Sequence, residues 1–162
     1  MNTLGRHLIV EYHGCDPVVL DDMERIERSM RQAARAAGAA IVASVFHPFS
    51  PQGVTGVVVV EESHLSIHTW PELGYAAVDF YTCGDCTPKR AHDILVRALE
   101  PRRSERLELA RGLGHEGGSI RVLEHRHWDG SQSGDDEDLA ACDADPFRPW
   151  ISAAPAGVSV WA

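Results

Sequence analysis

The chain has 162 residues, 44% of them hydrophobic and 24% charged, and a formal net charge of −9. That length suffices for one domain with its own core, and the composition is that of an ordinary globular protein. The negative balance argues against a nucleic-acid partner or an anionic membrane surface, since both call for a basic face. The first ten residues hold no apolar stretch of signal-peptide length, and the longest β-branched run, Val57 to Val60, is far too short to span a bilayer. A soluble, cytoplasmic protein is the expectation.

Arg6 to Tyr12 alternates and is rich in β-formers, which predicts a first strand. Asp21 followed by Glu24 has the outline of a capping box, and Met23, Ile26, Met30, Ala33 and Ala37 recur at helical spacing. A helix over Asp21 to Ala37, stopped by Gly38, follows, with its Met and Ile stripe turned to the core. "AAIVASVFH" predicts the second strand and "PFSPQG" a loop. Val54 to Val60 predicts a third strand, apolar on both faces and therefore central. Trp70-Pro71-Glu72 and Gly74 force a turn before a fourth strand, Tyr75 to Thr82. Thr87 and Pro88 open a second helix with a stripe of Ala91, Ile94, Leu95, Ala98 and Leu99, and "SIRVLEH" predicts the last strand. The order β-α-β-β-β-α-β predicts an α+β fold: a two-layer α/β sandwich with a mainly antiparallel sheet and helices on one face.

Residues 1–128 are expected to form this one domain. From Asp129 the chain turns polar and acidic, "DGSQSGDDEDLAACDAD", which predicts a mobile tail over 129–162. Its apolar end, "PFRPWISAAPAGVSVWA", is free to dock as an edge strand or to fold over the sheet.

Four cysteines are present: Cys15, Cys83, Cys86 and Cys142. Without an export signal the default is free thiols. Cys83 and Cys86 form a C-x-x-C, but a structural zinc site wants a second close pair, and none exists. No metal is expected.

The chemistry is concentrated in "VVVVEESHLSIHTWPE", Val57 to Glu72. A serine hydroxyl where a buried strand ends can attack the preceding carbonyl, given a base and donors for the oxyanion. β-Elimination of the resulting ester cuts the chain and leaves a pyruvoyl ketone at the new N-terminus, an electron sink that does the work of pyridoxal phosphate elsewhere. For an arbitrary Glu-Ser pair, a strand-end serine bonded to its own backbone is the far commoner outcome. His64 and His68 are four apart, but on a strand that is about 13 Å, too far for a shared metal. An extended chain also sets Ser63 and His68 on opposite faces, so a bend or a close approach after the turn is required for them to cooperate.

The segment "GVTGVVVVEESHLSIHTWPELGYAAVDFYTCG", with "LGRHLIVEYHGC" and "GAAIVASVFHPF", resembles the short bacterial and archaeal S-adenosylmethionine decarboxylase proenzymes. The likeness runs from about Leu4 to Leu99, and the Glu-Ser-His-Leu-Ser-Ile-His-Thr-Trp-Pro-Glu core is highly specific. The resemblance implies that Ser63 is the self-cleavage residue and the source of a covalent pyruvoyl group, with the cut after Glu62. It implies that His68 is the proton acceptor in processing and Cys83 the proton donor in turnover, leaving Cys86 incidental. A thiol suits that role, being mostly protonated at neutral pH yet ready to give its proton up. Phe49 and Trp70 would lie near the adenine or the sulfonium, where aromatic faces favour a cation, and Glu72 would bind ribose hydroxyls or favour the positive charge. Thr55 stands where the family has a processing serine, and Glu61 where a small polar residue is expected; the region after Leu99 departs from the pattern.

The expected activity is pyruvoyl-dependent decarboxylation of S-adenosylmethionine to the aminopropyl donor of spermidine synthesis. A homodimer of cleaved protomers is implied, with active sites at the interface, and a one-sided sheet independently favours such pairing. Two alternatives are an arginine or ornithine decarboxylase on the same scaffold and a non-catalytic regulatory paralogue. Phe49 and Trp70 argue against the first, and the intact Ser63, His68 and Cys83 against the second.

Overall fold

A computed structural model describes residues 3–113 and 120–130. Eleven elements follow one another: β1 (Gly5–His13), α1 (Pro17–Asp21), α2 (Met23–Ala36), β2 (Ile41–Pro48), β3 (Val54–Val60), β4 (Ser63–Trp70), a 3-10 turn (Pro71–Leu73), β5 (Tyr75–Cys83), α3 (Pro88–Leu99), β6 (Arg103–Arg111) and β7 (Ile120–Trp128). The seven strands form one sheet in the order β2-β3-β4-β5-β1-β6-β7, antiparallel at every junction. The helices cover one face, as the α+β sandwich expectation requires.

The core follows from strand alternation. Leu8, Val10 and Tyr12 of β1, Leu65 and Ile67 of β4, and Ala76, Val78 and Phe80 of β5 all point to the helix side and are buried. They meet Val19 and Leu20 of α1, Ile26, Met30, Ala33 and Ala34 of α2, and Ala91, Leu95 and Leu99 of α3. Each large aliphatic side chain so buried contributes about 2 kcal/mol. Gly56 of β3 makes room for Phe46: a Cβ there would stand 2.0 Å from the phenyl ring.

The first helical region differs from its prediction. The predicted helix is α2, which starts two residues later than expected, a short unpredicted α1 precedes it, and Asp22 rather than Asp21 caps α2, accepting from the Arg25 amide. Asp21 instead accepts from the Gly53 amide and ties the helix layer to the loop before β3. Gly38 ends the helix at φ 89°, as expected. Thr87 occupies the N-cap of α3 without a side-chain capping bond. Two strands, β4 and β6, were not among the predicted elements. The tail expected over 129–162 lies outside the described residues except for 129 and 130.

One polar pair is sealed inside this core. The Tyr12 hydroxyl and His92 Nδ1 share a hydrogen bond of 2.7 Å, and the two rings stack. His92 is 7% exposed, and burial pulls its pKa down to about 4. The unfolded chain, with histidine near 6.5, therefore binds a proton over a range in which the folded chain does not. Stability rises with pH across that window and is lost as pH falls from about 6.5 to about 4, by up to ~3 kcal/mol. Urea midpoints measured across this range are expected to fall steeply for the native chain and less for His92→Gln, which takes up no proton; superimposable profiles would locate the effect elsewhere.

Candidate active site

The site begins at the β3–β4 hairpin. Val60 pairs with Ser63, so Glu61 and Glu62 alone make the turn. The register is fixed by the apolar pattern: a one-residue slip of β4 would expose Leu65 and Ile67 and bury His64 and His68. Ser63, the first residue of β4, has a buried Oγ with no hydrogen-bond partner among the described residues. An orphaned hydroxyl in such a place is costly, of order 1–3 kcal/mol, and unusual in a native fold. The hydroxyl sits one residue from the exposed Glu62.

On the far end of the same hairpin, Thr55 and His68 face each other in register, and Thr55 Oγ1 lies 2.9 Å from His68 Nδ1. This fixes one ring nitrogen and leaves the other to act. Trp70 stacks on Tyr75 at 5.1 Å and lies 6.2 Å from the His68 ring. Phe49, in the loop between β2 and β3, is half exposed and packs edge-on against His47. Glu72 accepts from Gln52 Nε2, which joins the Phe49 loop to the turn after Trp70. Phe49, Trp70 and Glu72, named from the sequence as substrate-binding residues, thus flank one end of the sheet together with His68 and Thr55.

Cys83 lies at the opposite end. Its partner in β1 is Gly5, and the register of His64 with Tyr81 sets Ser63 beside the Thr82–Cys83 end of β5. From His68, which faces Ala77, to Cys83 is six residues, about 20 Å. From Ser63 to His68 is five residues of straight strand, about 17 Å. No bend brings them together: β4 is continuous, and Leu65, Ile67 and Thr69 are buried while His64, His68 and Trp70 are exposed. The bend or close approach of Ser63 and His68 expected from the sequence is therefore absent from the described chain. The candidate residues thus stand at two ends of the sheet, Ser63 and Cys83 at one end on opposite strand parities, Thr55, His68 and the aromatic shelf at the other.

Between them the open face carries polar residues that sequence reasoning did not single out. Asp79 accepts from Ser66 and pairs with His7 Nε2 at 3.1 Å, and the bond to His7 first of all holds its carboxyl below the usual range. Arg111 donates to His7 Nδ1 and lies 4.6 Å over the Tyr81 ring. Tyr81 is raised, first of all by burial. Tyr75 donates to Glu11; burial, then that bond, pushes its phenol well up. The period-two pattern of β1 and β5 was the available signal, since His7, Glu11, Tyr75, Asp79 and Tyr81 all fall on the non-core parity. Cys86 is partly buried against the core, and Cys15, Cys83 and Cys86 are free thiols. Among the described residues no helix is long and apolar enough to cross a membrane.

The architecture is that of a known class of α+β enzyme. The crystal structure of the adenosylmethionine decarboxylase from Aquifex aeolicus superposes with a TM-score of 0.64 at 37% identity, covering 73% of this chain and 98% of that one. In sequence, the S-adenosylmethionine decarboxylase proenzyme of Caldanaerobacter subterraneus subsp. tengcongensis is 54% identical over 114 residues, 70% of this chain and 92% of that protein. The proenzyme of Thermotoga petrophila is 53% identical over 113 residues, 69% and 87% respectively. The family model described as S-adenosylmethionine decarboxylase matches residues 6–112. The chain belongs to the S-adenosylmethionine decarboxylase family.

Proposed function

We propose that this chain is a self-processing decarboxylase of S-adenosylmethionine that takes its pyruvoyl group from Ser63. The observation that carries the reading is the buried, unpartnered Ser63 hydroxyl directly after the Glu61-Glu62 turn. A hydroxyl held there without a competing partner suits attack on the Glu62 carbonyl carbon. The peptide C–N bond breaks and an ester to Ser63 Oγ forms. Removal of the Ser63 α-proton then breaks the Cβ–Oγ bond, releases Glu62 as a carboxylate and leaves a dehydroalanine N-terminus. Water converts that end to the ketone and ammonia. When present, the pyruvoyl group supplies an electron sink for the charge left as carbon dioxide departs.

His68, oriented by Thr55, is the proton acceptor of processing, and Cys83 the proton donor of turnover. Phe49 and Trp70 offer faces to the adenine or the sulfonium, and Glu72 a carboxylate for ribose hydroxyls or the positive charge. The two groups of residues are too far apart to work within one chain. A homodimer supplies the remedy: a twofold axis sets the Ser63 end of one copy against the His68 end of the other, twice. The open face also carries exposed Val45, Val59 and Trp70, which such pairing would cover.

Intact-mass measurement tests the central step. Purified protein is expected to give one fragment of residues 1–62 and one beginning at residue 63 with a blocked, pyruvoyl N-terminus, while Ser63→Ala stays whole. An active preparation that contains only full-length chain would rule the reading out.

A further inference from the structure

The last described strand holds a cluster that the decarboxylase chemistry does not use. His125 and His127 are two residues apart on β7 and therefore share a face. Glu105 of β6 is in register with His127, and its neighbour on that face, Leu107, with His125. The three side chains converge: His125 Nε2 lies 2.8 Å from Glu105 Oε1, His127 Nε2 lies 3.8 Å from the same oxygen, and the candidate ligand atoms all fall within 4.8 Å of one another. The imidazole centroids are only 4.7 Å apart.

We propose that Glu105, His125 and His127 form a binding site for a divalent transition-metal ion of zinc-like chemistry. Two imidazoles and a carboxylate select zinc, cobalt or nickel over magnesium or calcium, which prefer all-oxygen shells. With metal–ligand bonds near 2.0–2.1 Å, tetrahedral ligands stand about 3.4 Å apart. The two distances to Glu105 bracket that value, and half-exposed side chains can close the difference by small rotations. Three protein ligands leave a fourth position for water or another donor. The metal would pin β7 to β6. β7, which carries both histidines, lies beyond residues 6–112, where the family model matches, while Glu105 lies within them. The site stands three strands from β4 on the open face and does not depend on the decarboxylase reading.

The competing account is a plain His–Glu ion pair, and a titration separates the two. Metal-stripped full-length protein is titrated calorimetrically with zinc, alongside Glu105→Gln, His125→Gln and His127→Gln, each of which keeps a hydrogen-bonding side chain on the strand. Cys86→Ala controls for thiol binding. Changing even an outer partner of a metal ligand costs 10–100-fold in affinity, so each ligand variant is expected to bind at least about tenfold more weakly, while Cys86→Ala matches the native chain. Zinc is also expected to raise the melting temperature of the native chain and not that of the three variants. Cobalt(II) should give a d–d spectrum without a thiolate charge-transfer band. Coincident titrations for the native chain and all three ligand variants, or a thiolate band on cobalt, would overturn the proposal.

Discussion

Chains carrying Ser63→Ala and chains carrying His68→Ala, each left uncut when made alone, are expected to restore cleavage when produced together. Ser63 and His68 stand about 17 Å apart on one straight strand, so neither can serve the other in its own copy. In a mixed dimer, one of the two sites draws Ser63 from the His68→Ala chain and His68 from the Ser63→Ala chain. That site is complete, and the His68→Ala chain is the one that is cut. With random pairing, about half of the His68→Ala chains should appear as two fragments, and none of the Ser63→Ala chains. Tagging the two chains differently lets mass spectrometry assign each fragment. If processing took place within a chain, co-production would leave both variants whole.

A second large effect is expected at Cys83, and it separates maturation from turnover. After carbon dioxide leaves, a proton must reach the substrate α-carbon for the amine product to depart. A proton delivered to the neighbouring position instead leaves the large fragment with an N-terminal alanine and no further activity. The Cys83 thiol lies at the Ser63 end of the sheet, two residues from Tyr81 on the same strand parity, on the open face rather than in the core. Loss of a positioned general acid lowers rates by about 10²–10⁴-fold. Cys83→Ala is expected to cleave at Glu62–Ser63, to turn over slower by that order, and to accumulate the alanine-ended fragment during incubation with S-adenosylmethionine. Cys86→Ala, partly buried against the core, should do neither. Equal rates and equal inactivation in the two variants would move the proton donor to another residue.

Most of the fold could be read from the sequence because its strands announce themselves by alternation. Two strands did not, for definable reasons. β4 alternates well, with Leu65, Ile67 and Thr69 inward, but its outward positions are serine, histidine and tryptophan, and the turn before it is Glu-Glu. Glycine, asparagine and aspartate usually mark a two-residue turn, and none is present. β6 reads "RSERLELAR", and its charges fall on both faces. Arg106 and Glu108 point to the helix side and are nearly buried, reconciled by ion pairs with Glu124 and Arg6 that no local pattern reveals. The capping residue moved from Asp21 to Asp22 because Asp21 is engaged by a residue thirty-two positions away. The same limit applies to the site. The candidate residues other than Phe49 come from one segment, Gly53 to Gly84, but their division between two ends of the sheet depends on the hairpin register and on β5 and β1, which no segment carries alone.

The strand order has a bearing on what becomes of the molecule once it is severed. A cut after Glu62 assigns β1, β2 and β3 to the short polypeptide and β4 to β7 to the long one. In the sheet these interleave: β3 lies against β4, and β1 is inserted between β5 and β6. The two polypeptides therefore meet along three separate ladders and share one core, so the nick removes a covalent link without opening a seam. Assembly and scission are thereby forced into sequence, because the pieces are threaded through each other only if the sheet is complete first. The molecularity of the reverse process changes as well. Within one protomer a full-length chain can regain the sheet by a first-order path, whereas the cut protein, once denatured, would separate into two peptides of three and four described strands that must find each other again. A cut after Glu62 would thus add a concentration-dependent step to recovery of the fold, and would tie the lifetime of the active form to how rarely it unfolds.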